Sequence, residues 1–308
     1  MRLVCDGRLS LQADVPLGHV DQLNKTKVYL VPYQGNKIAL YDTSASDWVE
    51  ETIPPDCELT VPGTSSTPFD IFAYIGARQP KGTKGAKQPK GAKGAKRTTV
   101  ILWSSNWSTS TSRVTELELH DGVLVRPGYP AYRYLGTGCT TTTNGRCEDS
   151  DTKRFLWNYY HRDKRRLQVF ESVPSWVSGS NAWQRANNSD NNRVEAVIGV
   201  QNANQETNLN LTVAGAVRTA TTATASLAVA VGEDSTTTPA GDQIGRGTVQ
   251  ASTAAVTLRA HYHAKPAPGL HYWQWLQIGT AGGNKTWYYT DTSGNLAYKN
   301  GITGWIEG

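Results

Sequence analysis

The sequence predicts an all-β protein, with a small N-terminal β domain followed by a jelly-roll-like β-sandwich. Three observations carry this expectation. Hydrophobic residues make up 38% and charged residues 19% of the 308, and Thr, Ser, Asn and Gly fill the deficit. These residues favour strands and turns, or compete with the helix backbone through their side chains. Helical Leu–Glu–Lys–Ala periodicity is almost absent, while short β-rich runs recur along the whole chain between polar turns.

The first domain is expected over residues 1–128. Lys27–Tyr33 (KVYLVPY) alternates, Gln34–Asn36 supplies a turn, and Lys37–Tyr41 (KIALY) returns as its hairpin partner. Further strands are expected at 48–53, 69–75, 100–103, 114–120 and 123–126, the last two joined by Asp121-Gly122, the strongest two-residue hairpin turn in the chain. The second domain is expected over residues 129–308. Strands at 154–160 and 167–173 flank a charged tip at 161–166, and others follow at 194–200, 209–217, 225–231, 249–263, 271–278 and 285–289. The Thr/Ala run 219–224 is compatible with a helix but poorly supported as one.

Residues 80–97 interrupt the first domain with a Lys/Gly-rich insertion. Lys81, Lys84, Lys87, Lys90, Lys93 and Lys96 fall at every third position and Arg97 follows. Period three is that of polyproline II, so an extended copy would carry ammonium groups about 9 Å apart at a rise of ~3.1 Å per residue. Three readings stay open: a solvated flexible insertion, a polycationic arm for an acidic neighbouring subunit or a polyanionic cell surface, and a short collagen-like strand. Nucleic acid is not expected as a partner, because no aromatics interleave with the lysines as stacking platforms.

The aromatic balance is lopsided, with Trp 10 and Tyr 14 against Phe 4 and Met 1. Trp and Tyr carry a polar handle and suit half-wet surfaces and subunit contacts. In Gly269–Leu276 (GLHYWQWL), His271, Trp273 and Trp275 face one way, and Tyr272, Gln274 and Leu276 the other. With Trp287 and Tyr289 they are the candidate residues for core packing, for a subunit interface or for stacking on sugar rings.

Catalytic and metal chemistry find little support. Of the four cysteines, Cys139 and Cys147 flank a turn and could close a short disulfide loop, or remain thiols. No CxxC pair or His at metal spacing accompanies them. His261 and His263 share one face of a strand without an adjacent carboxylate. Glu148-Asp149-Ser150-Asp151 reads as a solvated turn rather than a calcium loop. Glu118, Asp121, Glu171 and Glu195 could supply a glycosidase pair only if folded to roughly 5–10 Å of each other. No phosphate loop, GxSxG elbow or HExxH occurs. No cofactor and no metal is expected, and a binding protein is favoured over an enzyme. No run reaches the ~20 apolar residues of a membrane span. Asp6 and Arg8 interrupt any signal-peptide core, so synthesis in the cytoplasm is expected.

Several segments resemble, in order, a family of phage and prophage virion structural proteins. They are Tyr29–Asp42 (YLVPYQGNKIALYD), Phe69–Tyr74 (FDIFAY), Asp121–Val125 (DGVLV), Tyr132–Thr137 (YRYLGT), Lys153–Arg162 (KRFLWNYYHR), Trp183–Asn188 (WQRANN), Gly269–Leu276 and the closing Gly304–Gly308 (GWIEG). The family is usually placed among tail, fibre, spike or particle-surface proteins, where a short loop would replace the lysine insertion. The resemblance implies a location on the virion surface. It implies a tail-fibre or spike role in host attachment, with capsid decoration as the alternative and a glycan-degrading tailspike as the third. It further implies a homotrimer contacting other virion proteins (capsid, tail or fibre) and a host surface glycan. The second domain is also similar in pattern to the C1q/TNF-type jelly roll, through its Gly-Leu-His strand and short apolar C-terminal strand.

Overall fold

A computed structural model of the chain describes residues 3–18, 20–77, 98–201, 206–219, 225–241, 244–249, 255–279, 284–288 and 299–308. Among them every regular element is a strand, apart from one 3-10 turn at Ala186–Asn188. The protein is all-β. Its chain forms two compact units, Met1–Glu148 with Leu156–His161, and Asp149–Phe155 with Arg162–Gly308. The boundary expected at 128/129 is therefore displaced. Pro127-Gly128, at that boundary, forms a tight turn: Gly128 adopts φ +71°, and Arg126 pairs with Tyr129 across it. Pro before a positive-φ Gly suits a type II turn.

In the first unit, Lys27–Pro32 lies between Gly7–Ser10 and Glu58–Thr60, antiparallel to both. Lys37–Asp42 pairs with Asp47–Thr52 instead, so the expected hairpin of 27–33 with 37–41 does not form. Asp6 explains the difference. Its N–H donates to the Lys37 carbonyl (2.8 Å), and its carbonyl accepts from Tyr33 N–H (3.0 Å). Its carboxylate accepts from Lys37 N–H (3.2 Å). The upstream segment thus takes the bonds that a local hairpin would have used.

A larger antiparallel sheet runs in the order Thr98–Asn106, Pro68–Ala77, Tyr129–Cys139, Val123–Arg126, Glu118–His120, with Leu156–Asn158 also on Tyr129–Cys139. Asp121 and Gly122 both take positive φ, 50° and 80°, and His120 pairs with Val123 around them. This is the geometry that the Asp-Gly turn anticipates. Arg133, only 1% exposed, ties the unit together. Its guanidinium donates to the carbonyls of Ala39 (2.6 Å), Val4 (2.8 Å) and Leu3 (3.1 Å) and to Tyr160 Oη (3.1 Å).

Among its described residues, the second unit has eight strands of five residues or more: β1 (Lys164–Phe170), β2 (Arg193–Ile198), β3 (Leu209–Thr219), β4 (Ala225–Glu233), β5 (Gly245–Val249), β6 (Val256–Ala264), β7 (Gly269–Gly279) and β8 (Gly301–Glu307); the shorter Lys285–Tyr288 also pairs with β3. One sheet pairs β1, β8, β3 and β6 in that order. The other pairs β2, β7, β4 and β5. The single strand expected at 249–263 is thus two, β5 and β6, each with its own partner. The single strand expected at 154–160 is also divided: Lys153–Arg154 pairs with β2 and Leu156–Asn158 with Tyr129–Cys139.

Along β3 the buried Leu209, Leu211 and Val213 alternate with half-buried residues, whereas β4 is buried without a break from Leu227 to Gly232. A Cβ on Gly215 of β3 would lie 3.1 Å from Val229 and 3.2 Å from Trp275, both on the opposite sheet. Small residues there make room for indoles, as close packing of two inner faces requires.

Candidate functional site

The lysines at 81, 84, 87, 90, 93 and 96, Arg97 and Tyr289 lie outside the described residues. The other aromatic candidates do not form a surface. Trp273 and Trp275 are 0% exposed, Trp287 1% and His271 8%. The sorting of β7 into two faces holds, but the His271–Trp273–Trp275 face is the inner one. Trp176 stacks on Trp287 (6.3 Å between centroids, 9° between planes) and meets Trp275 edge-on (5.6 Å, 81°). These indoles are core, and they offer no sugar platform or subunit contact.

His271 sits buried between two acceptors. Its Nδ1 lies 2.7 Å from Asp234 Oδ2, and its Nε2 lies 3.0 Å from the Ala267 carbonyl. Only the imidazolium can donate from both nitrogens. Burial pulls its pKa down, but the Asp234 hydrogen bond and charge, the Ala267 carbonyl and Glu233 outweigh this and raise it above 6.5. The neighbouring Tyr262 hydroxyl is engaged by Glu233. A raised histidine pKa stabilises the fold fully below the unfolded value, and that contribution is lost as pH rises through the folded value. His271→Leu is therefore expected to lower stability by about 1–2 kcal/mol at pH 5.5. The gap should narrow by pH 9, as read by urea unfolding of parent and variant at both pH values. A gap that widens with pH would contradict the imidazolium.

Cys139 and Cys147 are both 0% exposed, and Thr140 bridges Cys147 across the loop they flank. All four cysteines are buried, and burial pushes Cys57 up to about 12, which suppresses its reactive thiolate. The acidic turn is an ion-pair network. Arg154 bonds Asp149 and Asp151 (both 2.9 Å), Arg165 bonds Asp149 (2.7 Å), and Arg166 bonds Asp151. His261 and His263 stand exposed on β6, with His261 bonded to Thr212 (3.0 Å). The four carboxylates divide between the units, and each has a local task. Glu118 accepts from Gly128 N–H, Asp121 from the Trp48 indole, Glu171 from Asn192, and Glu195 from Arg193.

The surface that stands out lies elsewhere, on the large sheet of the first unit. Phe72 pairs with both Trp103 and Tyr134, and Tyr74 pairs with Ile101. By alternation, Phe72, Tyr74, Ile101, Trp103, Tyr132 and Tyr134 share one face. Tyr74 stacks on Tyr132 (4.8 Å, 29°), Trp103 meets Tyr132 edge-on (5.5 Å), and Tyr129 is 52% exposed. The Arg126 guanidinium lies over Tyr129 (4.3 Å), Trp103 (4.6 Å) and Tyr132 (5.7 Å).

A groove of about 210 Å³ opens beside this platform, with Ser105, Asn106, Thr115, Arg126 and Tyr129 among its walls and Asp70 and Arg113 beneath. The floor is rigid. Arg113 makes a bidentate pair with Asp70 (2.8 and 3.1 Å), Thr137 donates to Asp70 (2.8 Å), and Arg113 lies 4.2 Å over Trp107. Sequence reasoning missed this site. Its signal was the i, i+2 aromatic spacing of Phe72/Tyr74 and Tyr132/Tyr134, which becomes a patch only through non-local register.

A larger cavity of about 580 Å³ lies along Ala228, Arg246 and Ile278 of the second unit, with Trp183 beside it. The chain matches no protein-family model and no curated protein.

Proposed function

We propose that this protein is a structural component of a bacteriophage particle, exposed on its surface and used for host attachment as part of a tail fibre or spike. It acts by binding and not by catalysis. The observation that carries the reading is the platform of Tyr74, Trp103, Tyr129 and Tyr132, rings turned outward on a β-sheet where a protein with no surface partner would place polar residues. The ordered resemblance to virion proteins along the chain supports the same reading.

A jelly roll for the second unit is part of the proposal. Its support is the pairing order, 1-8-3-6 in one sheet and 2-7-4-5 in the other, with both inner faces meeting in one core. A homotrimer is also proposed, on the grounds that closed symmetry suits an adhesive projection, and many weak contacts on one particle gain strength by multivalency. Sedimentation at three times 33.6 kDa would bear this out.

Capsid decoration is the second reading. It is favoured by the lysine insertion, whose repeated cations suit an acidic neighbouring surface. Adsorption competition separates the two. Purified protein added to host cells first is expected to reduce particle adsorption in proportion to its concentration. Unchanged adsorption at saturating protein would contradict attachment.

A further inference from the structure

We propose that the groove beside Arg126 binds a single carboxylated sugar ring of a surface polysaccharide; this rests on the attachment reading and names its ligand. Arg126 is held against Trp103, Tyr129 and Tyr132, and among the described residues no carboxylate pairs with it. A guanidinium whose faces are covered by rings keeps its N–H edges, which match a carboxylate bidentately. The other arginine of the groove, Arg113, is already neutralised by Asp70, so Arg126 is the cation left for an incoming anion.

Size and lining then select the rest of the ligand. A groove of about 210 Å³ falls below the ~300–1,000 Å³ typical of drug-sized ligands, which limits it to about one ring. Arg126 covers one face of Tyr129, and the other face of this half-exposed ring is left for the C–H side of a pyranose, while Ser105, Asn106 and Thr115 on the walls offer hydrogen-bonding groups to its hydroxyl edge. A sugar carrying a carboxylate satisfies all three features at once. A bare anion leaves the rings unused, and a neutral sugar leaves the cation unused.

Saturation-transfer NMR on the full chain tests this with D-glucuronate, D-glucose and acetate as probes. Transfer to the glucuronate ring protons is expected, at least tenfold weaker affinity in Arg126→Gln, and partial recovery in Arg126→Lys. Tyr129→Ala alters a ring that is half exposed and keeps the test open should Arg126 variants fold poorly; it too is expected to weaken binding several-fold. No transfer to glucuronate, equal binding of glucose, or displacement by acetate as effective as by glucuronate itself would each overturn the proposal. So would binding that survives Arg126→Gln and falls only when the lysines of 81–96 are replaced by glutamine. Whether the protein resides on particles is measured separately. Glucuronate binding by a protein absent from particles would remove the attachment reading and leave this site standing.

Discussion

Arg133→Met is expected to lower the stability of the first unit by about 2–4 kcal/mol, a large share of the ~5–15 kcal/mol that holds an ordinary domain. The guanidinium supplies donors to the carbonyls of Leu3, Val4 and Ala39 and to the Tyr160 hydroxyl. Each buried acceptor left unmet costs about 1–3 kcal/mol. Two effects offset part of that loss. Methionine fills much of the volume and spares the cost of burying a charge, and Leu3 and Val4 are only partly buried, so water can reach them. Arg133→Lys should not rescue, because one ammonium cannot span acceptors that a planar fork reaches together. Calorimetry should show the melting point falling by roughly 5–15 °C, at about 2–4 °C per kcal/mol for a unit of this size. A melting point within 2 °C of the parent would show that the three carbonyls find other donors.

Trp275→Ala is expected to cost the second unit about 3–5 kcal/mol. The indole is 0% exposed, meets Trp176 edge-on and packs where Gly215 of the facing sheet leaves room. Truncation opens a cavity between two sheets whose other residues cannot collapse into it. Trp275→Phe makes an instructive contrast. The Trp275 indole N–H has no hydrogen-bond acceptor among the described residues, so phenylalanine removes an unmet donor while keeping most of the ring. A change of under about 1.5 kcal/mol is expected. Urea unfolding of both variants checks the pair. An alanine variant with parental stability but impaired saccharide binding would restore the surface role that the burial of Trp275 excludes.

Several strands were legible in the sequence where alternation is strong, although the one expected at 114–120 begins only at Glu118. Alternation placed Lys27–Pro32, Leu209–Thr219 and Gly269–Gly279 to within a few residues, and the positive φ of Asp121 and Gly122 is what their residue types allow. Pairing was not legible. The Gln34–Asn36 turn looks like a hairpin connection until Asp6, far upstream, takes its hydrogen bonds. Residues 128 and 129, where the first domain is expected to end, lie at a turn within one sheet.

Faces illustrate the same limit. The sequence divides β7 correctly into two sides, yet which side is inside depends on β3 and Lys285–Tyr288 arriving from the other sheet. The site itself needs three strands in register and a hairpin that folds Arg126 over their rings. No window of consecutive residues contains that arrangement.

The measurement that bears most directly on the central claim is the copy number and location of the protein in purified particles, by quantitative mass spectrometry with immunogold labelling. The attachment account predicts a few threefold sets, confined to the tail or the vertices. Hundreds of copies spread over the shell would replace attachment with decoration, and complete absence from particles would contradict both.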